Sequence, residues 1–175
     1  MKQRIPRRVA TRQDIEDAVG ILDYLIHDLI LAHQLYDLFV NLAVVGGIAK
    51  PETEQATRRM YISYLLLTLQ KFSEFWDRYK WLVSDEMKTR CERIAGELRR
   101  RRIVGLRHTF ISHVVNDKTG RPISAAELEA GFRAAIDNDL DAFLRWIHVA
   151  GDSVSPNTIV GVLSGLHTEL RARLQ

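Results

Sequence analysis

The sequence predicts an all-α fold, an up-and-down bundle of about five helices, and three observations carry that expectation. Apolar residues recur at three- and four-residue spacing over long stretches, the period of a helix with one buried face. Only 4 prolines and 10 glycines interrupt 175 residues, and most fall between those stretches instead of recurring at the short intervals of strand turns. Helix-capping residues stand where the stretches begin. With 46% apolar and 27% charged residues, the balance is that of a folding chain, and the length suits one core. Residues 1–10 read as a basic N-terminal arm and residues 11–175 as one helical domain.

Thr11 and Asp14 form the start signal of the first helix. Ile15, Val19, Leu22, Leu25, Ile26, Leu29 and Ile30 keep helical spacing behind them, and apolar residues continue to Val44, before Gly46-Gly47. This helix is apolar on more than one face and is expected to lie centrally or at a subunit interface. Lys50-Pro51-Glu52 opens a second helix, from about Thr53 to Trp81, whose Tyr61, Leu65, Thr68, Phe72, Phe75 and Trp76 form a core stripe. Ser84-Asp85-Glu86 caps a third, running to about Arg102. Gly105 interrupts or bends the chain before helical spacing resumes from Leu106 to Val115. A turn follows at Asp117–Pro122. Ser124 with Glu127 then caps one long helix, with a stripe of Leu128, Phe132, Ile136, Leu140, Phe143 and Ile147, closed by Gly151. Ser155-Pro156-Asn157 opens the last, ending near Leu174.

Composition excludes several classes of function. The apolar stretch from Ala18 to Ala49 is broken by Asp23, His27, Asp28, His33, Asp37 and Asn41, so it lacks the roughly 20 continuous apolar residues of a membrane span. The basic Met1–Arg8 runs into polar residues where an export signal would be apolar. A lone Cys91 forms no intramolecular disulfide and no multi-cysteine metal site; it reads as a packing residue in a reducing cytoplasm. No phosphate-binding glycine loop, nucleophile elbow or helix-turn-helix spacing is present. Asp23 with His27 and His33 with Asp37 are helical i,i+4 pairs, but the paired Glu-x-x-His of di-iron bundles is missing, so no metal and no cofactor is expected. His148 and His167 read as structural residues near helix ends.

A net charge of +3 and a pI near 9.2 permit contact with nucleic acid. The positive charge is densest at Arg99, Arg100, Arg101 and Arg102, with Lys88, Arg90 and Arg93 before them and Arg107 after. Four adjacent helical residues do not all face one way, so part of this cluster is solvated and part is placed to frame a phosphate groove. The segment Leu106-Arg107-His108-Thr109-Phe110-Ile111-Ser112-His113 follows directly. The residues alone leave two readings, a surface arginine beside a hydrogen-bonded core histidine, or a site for chemistry on phosphate.

This segment resembles the signature of the HEPN superfamily (higher eukaryotes and prokaryotes nucleotide-binding domain), which joins an arginine, a polar residue, a short spacer and a histidine. Arg107 matches the arginine, His108 takes the polar position usually held by asparagine or aspartate, and His113 matches the histidine. The closest likeness is to abortive-infection-type HEPN proteins, with Ser112 where an alanine is usual. The resemblance implies a HEPN-like helical bundle and metal-independent RNA cleavage by the neighbouring 2′-hydroxyl, in phage defence or as a toxin with a cognate antitoxin. His113 is then the general acid/base, Arg107 stabilises the phosphate, His108 helps to position it, and Arg99 to Arg102 bind RNA. Six helical steps place Arg107 and His113 roughly 120° apart. HEPN nucleases answer this by pairing motif helices across a two-fold axis, so a homodimer with a composite site is expected. Val115 stands where some HEPN toxins carry a modified tyrosine, so that regulation is not expected. The alternative is a non-catalytic helical module that binds RNA or a protein partner.

Overall fold

The computed structural model of the protein describes residues 9–40, 46–47, 50–106, 115–116 and 120–175. Helix α1 (Arg12–Phe39) opens on the expected box: the Thr11 hydroxyl accepts from the Asp14 N–H and the Asp14 carboxylate from the Thr11 N–H, both at 3.1 Å. Two donors that the first turn leaves without helical partners are thereby satisfied. The expected continuation of this helix at 41–45 lies outside the described residues, as does Met1–Arg8 of the N-terminal arm.

Helix α2 (Pro51–Tyr79) carries its proline and two glutamates in the first turn and ends in a tight turn at Lys80–Leu82. Leu65, Leu69, Phe72, Phe75 and Trp76 are buried, and the rings of Phe72 and Trp76 stack at 6.4 Å. The aromatic stripe is core. Helix α3 (Asp85–Arg100) starts at Ser84, whose hydroxyl accepts from the Met87 N–H. Cys91 is fully buried within it, and burial pushes the thiol up to about 12, the state of an inert packing residue.

Helix α3 ends close to the expected limit near Arg102, and the chain breaks there and not at Gly105. Arg102 takes the left-handed conformation at φ 56°, the place where a helix usually sets a glycine, and α4 (Ile103–Leu106) begins next with Gly105 inside it. Two short strands follow, β1 (Val115–Asn116) and β2 (Arg121–Pro122). They pair antiparallel with Val115 opposite Pro122, and Gly120 beside them has φ 64°.

The single long helix expected after Ser124 is two. Helix α5 (Ala125–Ala135) has the expected Ser124–Glu127 box, and α6 (Leu140–Ile147) starts afresh at Asp139, whose carboxylate accepts from the Ala142 N–H at 2.8 Å. Between them Asp137 and Asn138 are left-handed, at φ 53° and 58°. Asp and Asn tolerate that region and cap helices. Asp137-Asn138-Asp139 is therefore a stop and a restart, within a hydrophobic stripe that stays in phase across both helices.

Helix α7 (Ile159–Ala172), capped by Thr158, is buried on most sides and packs against α1 and α3, while α1 also packs along α2. The Glu169 carboxylate of α7 accepts from the Ser84 N–H at 2.9 Å and from its hydroxyl at 2.6 Å, tying the start of α3 to the central helix. The architecture is an all-α bundle, with seven α-helices among the described residues because α4 is separate and the helix expected after Ser124 is split. No helix among them is long and apolar enough to cross a membrane.

Candidate functional site

Arg107, His108 and His113 lie outside the described residues. What the structure places is the frame that leads into them. Chain phase at the end of α3 sends the four arginines in different directions. Arg99 and Arg102 are exposed, and Arg99 faces a groove with Lys80, Lys88, Trp81 and Glu92.

Arg101 turns inward. Its Nε is 2.8 Å from Glu97, one terminal nitrogen donates to the Ala135 carbonyl at 2.8 Å, and the other is 2.9 Å from Asp137. Its guanidinium also lies over the Trp146 ring at 4.9 Å and near Phe143 at 5.5 Å. With its side chain 11% exposed, it is committed to the fold, and gripping RNA phosphate would break these bonds. Arg100, more exposed, shares Glu97 and Asp137 with it. The Arg100 hydrogen bond is the largest influence holding both carboxyls below their usual range. The two inner arginines thus clamp the end of α3 to the corner between α5 and α6, and Arg99 and Arg102 are the pair turned to solvent.

The histidines away from the motif resolve into two contacts that spacing did not reveal. His27 Nδ1 donates to its own helix at the Asp23 carbonyl, 2.7 Å away. The Asp23 carboxylate instead meets His167 of α7, 3.0 Å from Nε2. His33 reaches Asp37 at 3.3 Å as its spacing suggested, but its ring also packs edge-on against His148, at 5.5 Å between centroids. Both rings are buried, and each Nδ1 lacks a hydrogen-bond partner. No set of three or more His, Cys, Asp or Glu among the described residues is placed to hold a metal ion.

Burial and the neighbouring His33 depress the His148 pKa below its ordinary 6.5, against weaker opposing influences of Asp152 and Asp37. A histidine held neutral in the fold titrates more readily once unfolded. Its contribution to stability is therefore complete above about pH 6.5 and is lost as pH falls through the lower folded value. Thermal melts at neutral and mildly acidic pH should show the wild type losing more stability on acidification than His148→Gln. Equal losses would show that His148 does not titrate on unfolding.

No family model matches the chain, and no curated protein matches it. A solved structure of an integron cassette protein from the mobile metagenome of V. paracholerae is similar over 94% of this chain and 99% of that one. Its TM-score is 0.77 at 22% identity, a likeness of fold.

Proposed function

We propose that the chain is a metal-independent endoribonuclease of HEPN type, acting as a toxin or in phage defence, with Arg107 and His113 of two copies forming one composite site. The observation that carries this reading is the Leu106–His113 sequence itself, which starts at the last residue of α4 in an all-α bundle. Exposed Arg99 and Arg102 immediately before it are a second support. In the reaction, the 2′-oxygen forms a bond to phosphorus as the bond to the 5′-oxygen breaks, leaving a cyclic phosphate and a 5′-hydroxyl. His113 exchanges the proton between the attacking hydroxyl and the leaving oxygen, and Arg107 holds the phosphate oxygens as their charge grows. His108 assists in placing the phosphate.

Support for a homodimer comes from α1, which exposes Tyr24, Leu31 and Leu38 at seven-residue spacing, with Met60 and Tyr64 exposed on α2. Apolar side chains repeated in this way share a face and favour a covered surface. A cytoplasmic location and a cognate antitoxin belong to the same proposal.

The test is incubation of the purified chain with structured and unstructured RNA in EDTA. Wild type should cleave, and His113→Ala should lose about 100-fold or more of the rate while still binding RNA. Cleavage that persists in His113→Ala overturns the mechanism, and cleavage by a stable monomer overturns the composite site. The commitment of Arg100 and Arg101 to internal ion pairs favours a second reading, a non-catalytic module. RNA binding by wild type without cleavage would support it.

A further inference from the structure

A cleft of about 300 Å³ opens between the first half of α2 and α5 and reaches the α5–α6 corner at Asn138 and Leu140, and neither motif nor charge run pointed to it. Three guanidinium groups line it, from Arg58, Arg59 and Arg133. Two of them are partly engaged: Arg58 is 2.8 Å from Glu54, and Arg133 Nε is 3.0 Å from Glu129. The Arg58 Nε is nonetheless buried with no hydrogen-bond partner, and a buried donor on a charged group is costly to leave unmatched. The Arg59 side chain has neither an ion pair nor a hydrogen bond among the described residues. With Glu54 and Glu129 set against three arginines, the cleft keeps one positive charge in excess.

The rest of the lining has a different character. Ile62 and Phe132 form an apolar floor with Leu140, and the side-chain amides of Gln55 and Asn138 stand at the wall. Guanidinium forks suit phosphate oxygens, an apolar floor suits a flat ring, and amides offer both donors and acceptors to the edge of a base. We propose that this cleft binds a nucleoside phosphate, its phosphate on Arg58, Arg59 and Arg133 and its base over Ile62 and Phe132. An alkyl phosphate would leave both amides unmatched, and inorganic phosphate would leave the floor bare. The volume lies at the small end of the roughly 300–1,000 Å³ range of ligand pockets, which suits one nucleotide unit. That unit is either a free mononucleotide or one residue of an RNA strand, and both present the same chemistry. Neither Arg107 nor His113 enters the argument.

The test is calorimetric titration of the full chain at low salt with AMP, UMP, adenosine, inorganic phosphate and a 5′-phosphorylated oligoribonucleotide, for wild type and Arg59→Glu. Saturable binding of AMP or UMP is expected, with adenosine and inorganic phosphate each about tenfold or more weaker. Arg59→Glu should weaken the mononucleotide about tenfold or more and leave adenosine unchanged. If only the oligonucleotide binds, and Arg59→Glu weakens it, the site takes its nucleotide from a strand. Adenosine or phosphate binding as tightly as AMP overturns the proposal. So does the absence of binding by every probe, or binding indifferent to the charge at residue 59. A thermal melt checks that Arg59→Glu folds, and Arg59→Gln with the same titrations replaces it otherwise. His113→Ala should bind these ligands as wild type does, so loss of RNA cleavage and loss of this site are read separately.

Discussion

Gly161→Ala is expected to destabilise the protein by about 2 kcal/mol or more, although alanine is the better helix former by about 1 kcal/mol. A Cβ on Gly161 would sit 1.8 Å from the Ser155 carbonyl oxygen, 2.6 Å from its carbon and 2.8 Å from its nitrogen. The obstacle is backbone and is itself held. The Thr158 N–H and hydroxyl both donate to the Ser155 oxygen at 3.2 Å, and the Gly161 N–H donates to the same hydroxyl at 3.1 Å. Moving Ser155 aside therefore loosens the cap of α7, the helix around which α1 and α3 pack. Loss of a cap costs about 1 kcal/mol, and this adds to the overlap. Gly96→Ala in α3 is the control, since its added methyl meets only the far end of the Arg99 side chain, at 3.9 Å. Urea melts should place Gly96→Ala at or above wild-type stability and Gly161→Ala well below. Equal midpoints for the two variants would contradict the close approach.

Local chemistry made much of this fold legible. The boxes at Thr11 and Ser124, the cap at Ser84 and the proline at the start of α2 all stand at helix beginnings, because a cap depends on a few adjacent residues. One break was missed. At Asp137-Asn138 the apolar period gives no warning, since the stripe keeps its spacing through the stop and restart, and the Asp-Asn-Asp sequence was its readable sign. The end of α3 near Arg102 was legible, but the left-handed conformation of Arg102 was not, since arginine has no special liking for that region. Sites assembled from distant segments were the least legible. His33 meets His148, Asp23 meets His167, and Arg58 and Arg59 line one cleft with Arg133, through packing that no spacing rule encodes. The arginine run was visible as charge, but its division into inner and outer members follows from the carboxylates of Glu97 and Asp137, one of them 36 residues beyond Arg101.

That division yields a contrast between neighbours. Arg101→Ala is expected to destabilise the protein by about 3 kcal/mol at neutral pH, near the low end of the cost of breaking a buried pair because Glu97 and Asp137 are partly solvated. It removes two ion pairs, the bond to the Ala135 carbonyl and the contacts over Trp146 and Phe143. Arg101→Lys should recover little, because an ammonium cannot serve three divergent acceptors in one plane while lying on a ring. Arg100→Ala should differ in its pH dependence. Its side chain is exposed, so its loss costs less at neutral pH than that of Arg101, and because Arg100 is the largest influence lowering the carboxyls of Glu97 and Asp137, that deficit should close as the pH falls. Carboxyls lowered in the fold contribute stability that is complete above their unfolded values, near about pH 4, and lost as pH falls through the folded ones. Denaturant melts across the acid range should therefore show a shallower acid loss in Arg100→Ala than in wild type, and a large deficit already present at pH 7 in Arg101→Ala. Indistinguishable profiles for the two variants would mean that the exposed and the buried guanidinium of the clamp do the same work. The same pair informs the proposed nuclease. Arg101 fixes the residues from which α4 and the Arg107 segment depart, so Arg101→Ala should lower RNA cleavage more than RNA binding, whereas loss of the exposed Arg99 should lower binding first.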